Sequence, residues 1–108
     1  MDLNEYQAQA GKTTPKDMSD IEMLTNAVLG LAGETGELIE HVKKHVYQGH
    51  DLSKTEIATE LGDVLWYVAY VASSVGLSLD SVAEKNIEKL RKRYGEAFDA
   101  SKSIHRGE

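Results

Sequence analysis

The chain has 108 residues and no cysteine, and its 12 Lys and Arg against 18 Asp and Glu leave a net charge of −6. Disulfides and thiolate metal sites are therefore excluded. An acidic balance argues against nucleic acid as a partner, because a phosphate backbone calls for clustered Lys and Arg. A chain this short is expected to form one domain spanning residues 1–108, with a core at about 19–95 and a polar, mobile tail at 96–108. It buries only a modest share of its surface, so association with a second copy is expected. The opening Met1-Asp2-Leu3-Asn4-Glu5 lacks a basic start and an apolar run, and the longest apolar stretch, Val64 to Ala72, is too short to span a bilayer. A cytoplasmic protein with no membrane partner is the expectation.

One proline, Pro15, and no strand-like alternation predict an all-α chain. The first helix is expected from about Asp2 to Gly11, with Leu3, Tyr6 and Ala10 on one side, ended by the Gly11–Pro15 stretch. Ser19 with Glu22 three residues on predicts a capping box opening the second helix, with Met18 and Met23 in the staple positions. Its apolar stripe is Leu24, Val28, Leu31, Leu38, Val42 and Val46, and Gly49 ends it. Ser53 and Glu56 form a second box, with Leu52 and Ile57 as its staple. The third helix follows with the stripe Ile57, Leu61, Val64, Val68, Val71 and Val75, and Gly76 supplies a left-handed C-terminal residue. Ser78 caps a fourth helix, whose stripe Ala83, Ile87, Leu90 and Tyr94 stops at Gly95. There is no internal repeat. The third helix also carries Leu65, Trp66, Ala69 and Ala72 outside its stripe. A helix apolar over most of its circumference must be covered on all sides, so this second face is expected to pack against another subunit. The architecture expected is an antiparallel bundle of about four helices completed by oligomerisation, as a homodimer or homotetramer.

Two acidic pairs interrupt the apolar helices. Glu34 and Glu37 lie in Gly33-Glu34-Thr35-Gly36-Glu37-Leu38, and Glu60 and Asp63 in Glu60-Leu61-Gly62-Asp63-Val64-Leu65-Trp66. A spacing of three puts both acids of a pair on one side of a helix. The short Gln48–Leu52 connection allows the two acidic edges to face one cleft between antiparallel helices. Four carboxylates at that range repel unless a cation sits among them, and hard oxygen ligands suit Mg²⁺, with Mn²⁺ as a substitute. Gly30, Gly33, Gly36 and Gly62 each weaken a helix interior, which suggests a close approach of backbone, metal or ligand. The chemistry that follows is metal-assisted hydrolysis of a phosphoanhydride, with one carboxylate accepting the proton of the attacking water. The bland alternative is a pair of solvated acidic edges matched by Lys43, Lys44 or Lys54.

Glu34-Thr35-Gly36-Glu37 followed by Glu60-Leu61-Gly62-Asp63 resembles the Glu-x-x-Glu…Glu-x-x-Asp signature of the MazG-type nucleoside triphosphate pyrophosphohydrolases. These belong to the all-α pyrophosphohydrolase superfamily, with the dimeric dUTPases, dCTP pyrophosphatases and phosphoribosyl-ATP pyrophosphohydrolases. The resemblance runs from about Asn26 to Phe98 and includes Leu29–Glu34, Glu60–Trp66 and Asn86–Tyr94. It implies Mg²⁺-dependent cleavage between the α and β phosphates of a nucleoside triphosphate, giving the monophosphate and pyrophosphate, as nucleotide-pool housecleaning. Glu34, Glu37, Glu60 and Asp63 are then both the metal ligands and the catalytic groups. One departure stands out: the fuller family pattern opens with two adjacent glutamates, and here Gly33 occupies the first place. That leaves four acids rather than five and the number of bound metals open.

In similar proteins a basic and amide edge on the last helix contacts the nucleotide, and Asn86, Lys89 and Arg93 match such an edge here. Tyr67 shares the flank of Glu60 and Asp63 and is the aromatic residue best placed to stack on a base. Trp66 reads as core or interface. His41 and His45, one turn apart, could ligate a transition metal but more often such pairs face solvent. Two readings from other classes compete. A ferritin-like carboxylate dimetal protein wants Glu-x-x-His on two helices, whereas Glu37 and Asp63 stand where the histidines would be. A non-catalytic dimerisation module explains the apolar third helix but leaves the acids without purpose.

Overall fold

The computed structural model describes residues 1–95, and the expected tail at 96–108 lies outside the described residues. Four helices follow in chain order: α1 (Leu3–Gly11), α2 (Asp20–Gln48), α3 (Lys54–Ser74) and α4 (Leu79–Tyr94). The all-α expectation holds. No single helix among the described residues is long and apolar enough to cross a membrane.

The helix ends are set by local side-chain chemistry. Asp2 accepts a hydrogen bond from the Glu5 N–H at 2.8 Å and caps α1. At α2 the whole box forms: Ser19 Oγ accepts from the Glu22 N–H and the Glu22 carboxylate accepts from the Ser19 N–H. At α3 only the serine half forms, Ser53 accepting from the Glu56 N–H, because the Glu56 carboxylate turns toward His41 instead. The end of α3 is a left-handed glycine cap. Gly76, at φ 74, lets the Leu77 N–H reach back to the Ala72 carbonyl at 2.8 Å and its own N–H reach that of Ser73 at 3.2 Å. Gly49, at φ 71, ends α2 in the same conformation.

α2 and α3 form the main antiparallel hairpin, and α1 lies across α3 and the start of α4. Ala69, Ala72 and Leu79 are buried together with Ala10 of α1, and Tyr6, Trp66 and Val68 pack around them. Trp66, Ala69 and Ala72 of the second apolar face of α3 are thus covered by the chain's own first helix, while Leu65 stays exposed. The small side chains there permit this: two alanines on α3 meet an alanine on α1, so the helices approach closely and a nine-residue helix suffices to seal the face.

Gln7 fastens that lid. Its side-chain amide donates to Ser73 Oγ and to the Leu77 carbonyl, both at 2.9 Å, and its carbonyl oxygen accepts from the Leu79 N–H at 2.8 Å. Asn4 accepts from the Asp80 N–H at 3.2 Å and Ser78 from that of Ser81 at 3.2 Å. All three leading amides of α4, which have no carbonyl in their own helix, are therefore satisfied by side chains, two of them from α1. α4 leaves the α3 direction by 101°.

Elsewhere the expected stripes are only partly covered. On α2 Ala27 is fully buried, but Val28, Val42 and Val46 of the stripe are exposed, as are Ile21, Leu29, Ile39 and Tyr47 beside it. On α4 Ile87 and Leu90 are exposed. Apolar surface without cover thus lies on α2 and α4, and on α3 at Leu61 and Leu65.

Candidate metal and nucleotide site

The acids converge where α2 and α3 run side by side. One carboxylate oxygen from each of Glu34, Glu60 and Asp63 lies within 4.8 Å of the others. Glu34 comes from the middle of α2 and the other two from one turn of α3, so the antiparallel pairing itself assembles the trio. Glu34 and Glu60 are half-buried, and Asp63 is exposed. Glu37, one turn further along α2, is exposed and lies outside this trio, yet its charge is still felt at Glu34.

The electrostatics are those of crowded anions. Partial burial raises the Glu34 carboxyl above the ordinary glutamate range, and the charges of Asp63, Glu60 and Glu37, with a hydrogen bond to Glu60, push it further in that direction. Tyr6 of α1 is also raised, first by burial and then by the charge of Asp63. The first helix therefore brings a phenol to the edge of the acidic cluster, a neighbour that its place in a short apolar pattern did not disclose.

Among the described residues no lysine is ion-paired with the trio. Lys43 pairs with Glu40 at 3.7 Å on its own helix. The side chain that does reach the cluster is His41, whose Nε2 lies 3.3 Å from Glu60 Oε1 and whose Nδ1 lies 3.4 Å from Glu56 Oε2. His45 turns away, its Nδ1 lying 2.8 Å from the His50 carbonyl oxygen. The two histidines thus do not form a joint metal site.

The glycines divide. A Cβ on Gly30 would drive into the Tyr67 ring, so the close approach expected of a helix glycine is real there, and the occupant is an aromatic side chain of α3. At Gly33, Gly36 and Gly62 a Cβ would meet nothing within 4 Å. No packing among the described residues requires glycine at those three positions.

Tyr67 is held over α2 by this notch and by its neighbours. Its ring meets Trp66 edge-on, with centroids 4.8 Å apart, and lies near-parallel to Tyr70 at 6.4 Å. Tyr70 is buried, with its hydroxyl accepting from the Asn26 amide at 3.2 Å, while Trp66 donates from Nε1 to Thr13 Oγ1 at 2.8 Å. Trp66 is thus a core residue under α1. Asn86, Lys89 and Arg93 sit on α4, which packs on α1 and makes no extensive contact with α2 or α3. Within one chain they are not gathered at the acidic cluster.

A divalent ion fits the trio in kind. Three carboxylates with no soft ligand suit a hard cation, and oxygens that share one Mg²⁺ sit roughly 3–4 Å apart, a small side-chain adjustment from the separations here.

Comparison with known proteins agrees with this arrangement. The model of the MazG nucleotide pyrophosphohydrolase domain matches residues 23–98, which contain all four acids and all of the hairpin but the first three residues of α2. The "Gene 37 protein" of Mycobacterium phage L5 is 34% identical over 101 residues, covering 86% of this chain and 89% of the relative. No solved structure gives a significant match. With a matching domain across most of its length and its acids meeting at the centre of that domain, the chain belongs to the MazG nucleotide pyrophosphohydrolase family.

Proposed function

We propose that the protein is a Mg²⁺-dependent nucleoside triphosphate pyrophosphohydrolase, cleaving the α–β phosphoanhydride to give a nucleoside monophosphate and pyrophosphate. The observation that carries this reading is the approach of Glu34, Glu60 and Asp63 to within 4.8 Å of one another across two helices of a MazG domain. A cation bound there would neutralise phosphate charge and polarise the bond to be broken. The chain's own part is to hold the ligands rigidly, on helices rather than loops, and to take up a proton. Glu37, near enough for its charge to act on Glu34 but with no oxygen among the converging three, is the carboxylate we assign to accept that proton from the attacking water.

Substrate contacts follow by the same reasoning. Tyr67 presents an aromatic surface beside the acids, and Asn86, Lys89 and Arg93 offer the amide and cationic groups that phosphates require. Since α4 stands away from its own acidic cluster, we assign its polar edge to the site of a second copy, in a homodimer or homotetramer. The exposed apolar residues of α2 and α4 would supply the contact. Mn²⁺ should substitute for Mg²⁺, and the cytoplasm is the compartment proposed.

The test is incubation with each common ribo- and deoxyribonucleoside triphosphate and Mg²⁺, with the phosphorus products identified by ³¹P NMR. Pyrophosphate and monophosphate are expected, with loss of at least about 100-fold in kcat for Glu60→Gln or Asp63→Asn, since these groups hold the metal. Inorganic phosphate alone would move the protein to another class of hydrolase. Iron uptake with oxygen consumption and no nucleotide turnover would favour the carboxylate dimetal reading.

A further inference from the structure

His41 stands between two helices and touches a carboxylate with each ring nitrogen. Nε2 meets Glu60 at 3.3 Å and Nδ1 meets Glu56 at 3.4 Å. Glu56 and Glu60 are one turn apart on α3, so the imidazole, carried by α2, spans that turn as a strut. The ring is half-buried, and the Glu60 side chain is only 16% exposed, the least of the groups in this network. Glu56 gives up its half of the Ser53 capping box to make this contact. Nε2 of the ring is within hydrogen-bond distance of Glu60, and the Glu56 carboxylate lies beside Nδ1 as an ion-pair neighbour.

From this geometry we infer that His41 is a positioning residue for Glu60, fixing the carboxylate so that it serves as a metal ligand, with Glu56 holding the imidazole in its plane. A ring nitrogen that carries a proton donates to the carboxylate it faces. Glu60 is then anchored through Oε1 while it keeps a carboxylate oxygen within 4.8 Å of those of Glu34 and Asp63. A free glutamate has three rotatable bonds to immobilise when a cation arrives, and anchoring removes part of that entropy cost beforehand. Repulsion from Glu34 and Asp63 would otherwise swing Glu60 outward, and the imidazole opposes that as well.

The inference rests on the proposed metal site, and direct metal binding separates the two. Mn²⁺ affinity is measured on the metal-free full-length protein by electron paramagnetic resonance, with no nucleotide present. The comparison is between the parent, His41→Phe, which keeps a ring without donors, and His41→Gln, whose amide N–H can reach the same oxygen. The expected result is a loss of about 10–100-fold in Mn²⁺ affinity for His41→Phe, with most of it regained in His41→Gln. Should His41→Phe fail to fold, His41→Ala takes its place. Equal affinity in the parent and His41→Phe overturns the assignment, as does an equal loss in Phe and Gln variants. A parent that takes up no Mn²⁺ at all overturns the metal-site reading, and the positioning role with it.

Discussion

Glu34 carries a cost that the rest of the fold has to absorb. The folded chain holds its proton more tightly than the unfolded chain does, because partial burial and three neighbouring anions disfavour the charged form. Ionisation of Glu34 therefore opposes folding: the penalty is absent below the ordinary glutamate range and grows as pH rises through it to the raised value. Glu34→Gln is expected to melt higher than the parent at pH 7 without divalent ions, an advantage that vanishes below about pH 4. Adding Mg²⁺ should reverse the order, raising the parent's Tm more than the variant's, since only the intact trio binds the ion well. Calorimetry across pH, with and without Mg²⁺, reads both effects. Glycine offers a second contrast at this scale. Gly30→Ala pushes a methyl group into the Tyr67 ring and should cost about 1–3 kcal/mol. Gly36→Ala meets open space and should gain about 0.5–1 kcal/mol, both measured by urea unfolding.

Among the elements, α1 is the one whose role depends most on distant partners. Gln7→Ala removes three hydrogen bonds at the α3–α4 corner and leaves the Leu79 N–H without its acceptor. A loss of about 1–3 kcal/mol is expected, together with faster amide exchange at Leu79. The same contrast explains what could be read beforehand. Helix boundaries were legible because Ser19, Ser53, Ser78, Gly49 and Gly76 act on amides and carbonyls within a few residues of themselves. The convergence of Glu34, Glu60 and Asp63 was legible because a short connection forces α2 and α3 together. The cover over Ala69 and Ala72 was not, since Gln7 meets partners 66 to 72 positions away and nothing local marks it. Nor was the strut: the spacing of His41 from Glu37 puts it on the acidic flank, but which α3 side chains it meets depends on how the two helices slide past each other. The expected Glu56 half of a cap failed for the same reason, a partner across the hairpin having won.

The whole molecule is open rather than round. Its Cα radius of gyration is 17.0 Å, against about 13 Å for a compact 100-residue domain. The buried apolar set among the described residues is Ala10, Ala27, Ala69, Tyr70, Ala72 and Leu79, dominated by small side chains, while Leu29, Ile39, Val46 and Tyr47 stand largely in water. Ile39, Val42, Val46 and Tyr47 line one groove, and we propose it as an interaction face. We expect the parent to sediment as a multiple of the single-chain mass, and the double variant Ile39→Glu, Val42→Glu to sediment as one chain. If the assigned role of α4 is right, that variant loses turnover while keeping its helical circular dichroism. Loss of assembly with full turnover would return Asn86, Lys89 and Arg93 to solvent. One further consequence comes from the α2–α3 hairpin. Because Glu34, Glu60 and Asp63 sit on a single pair of adjoining coils, the electrostatic work of crowding them is done when those two coils close on each other. A cation bound there as proposed would meet a ready-made nest of oxygens, and its entry would relax a tension already stored there.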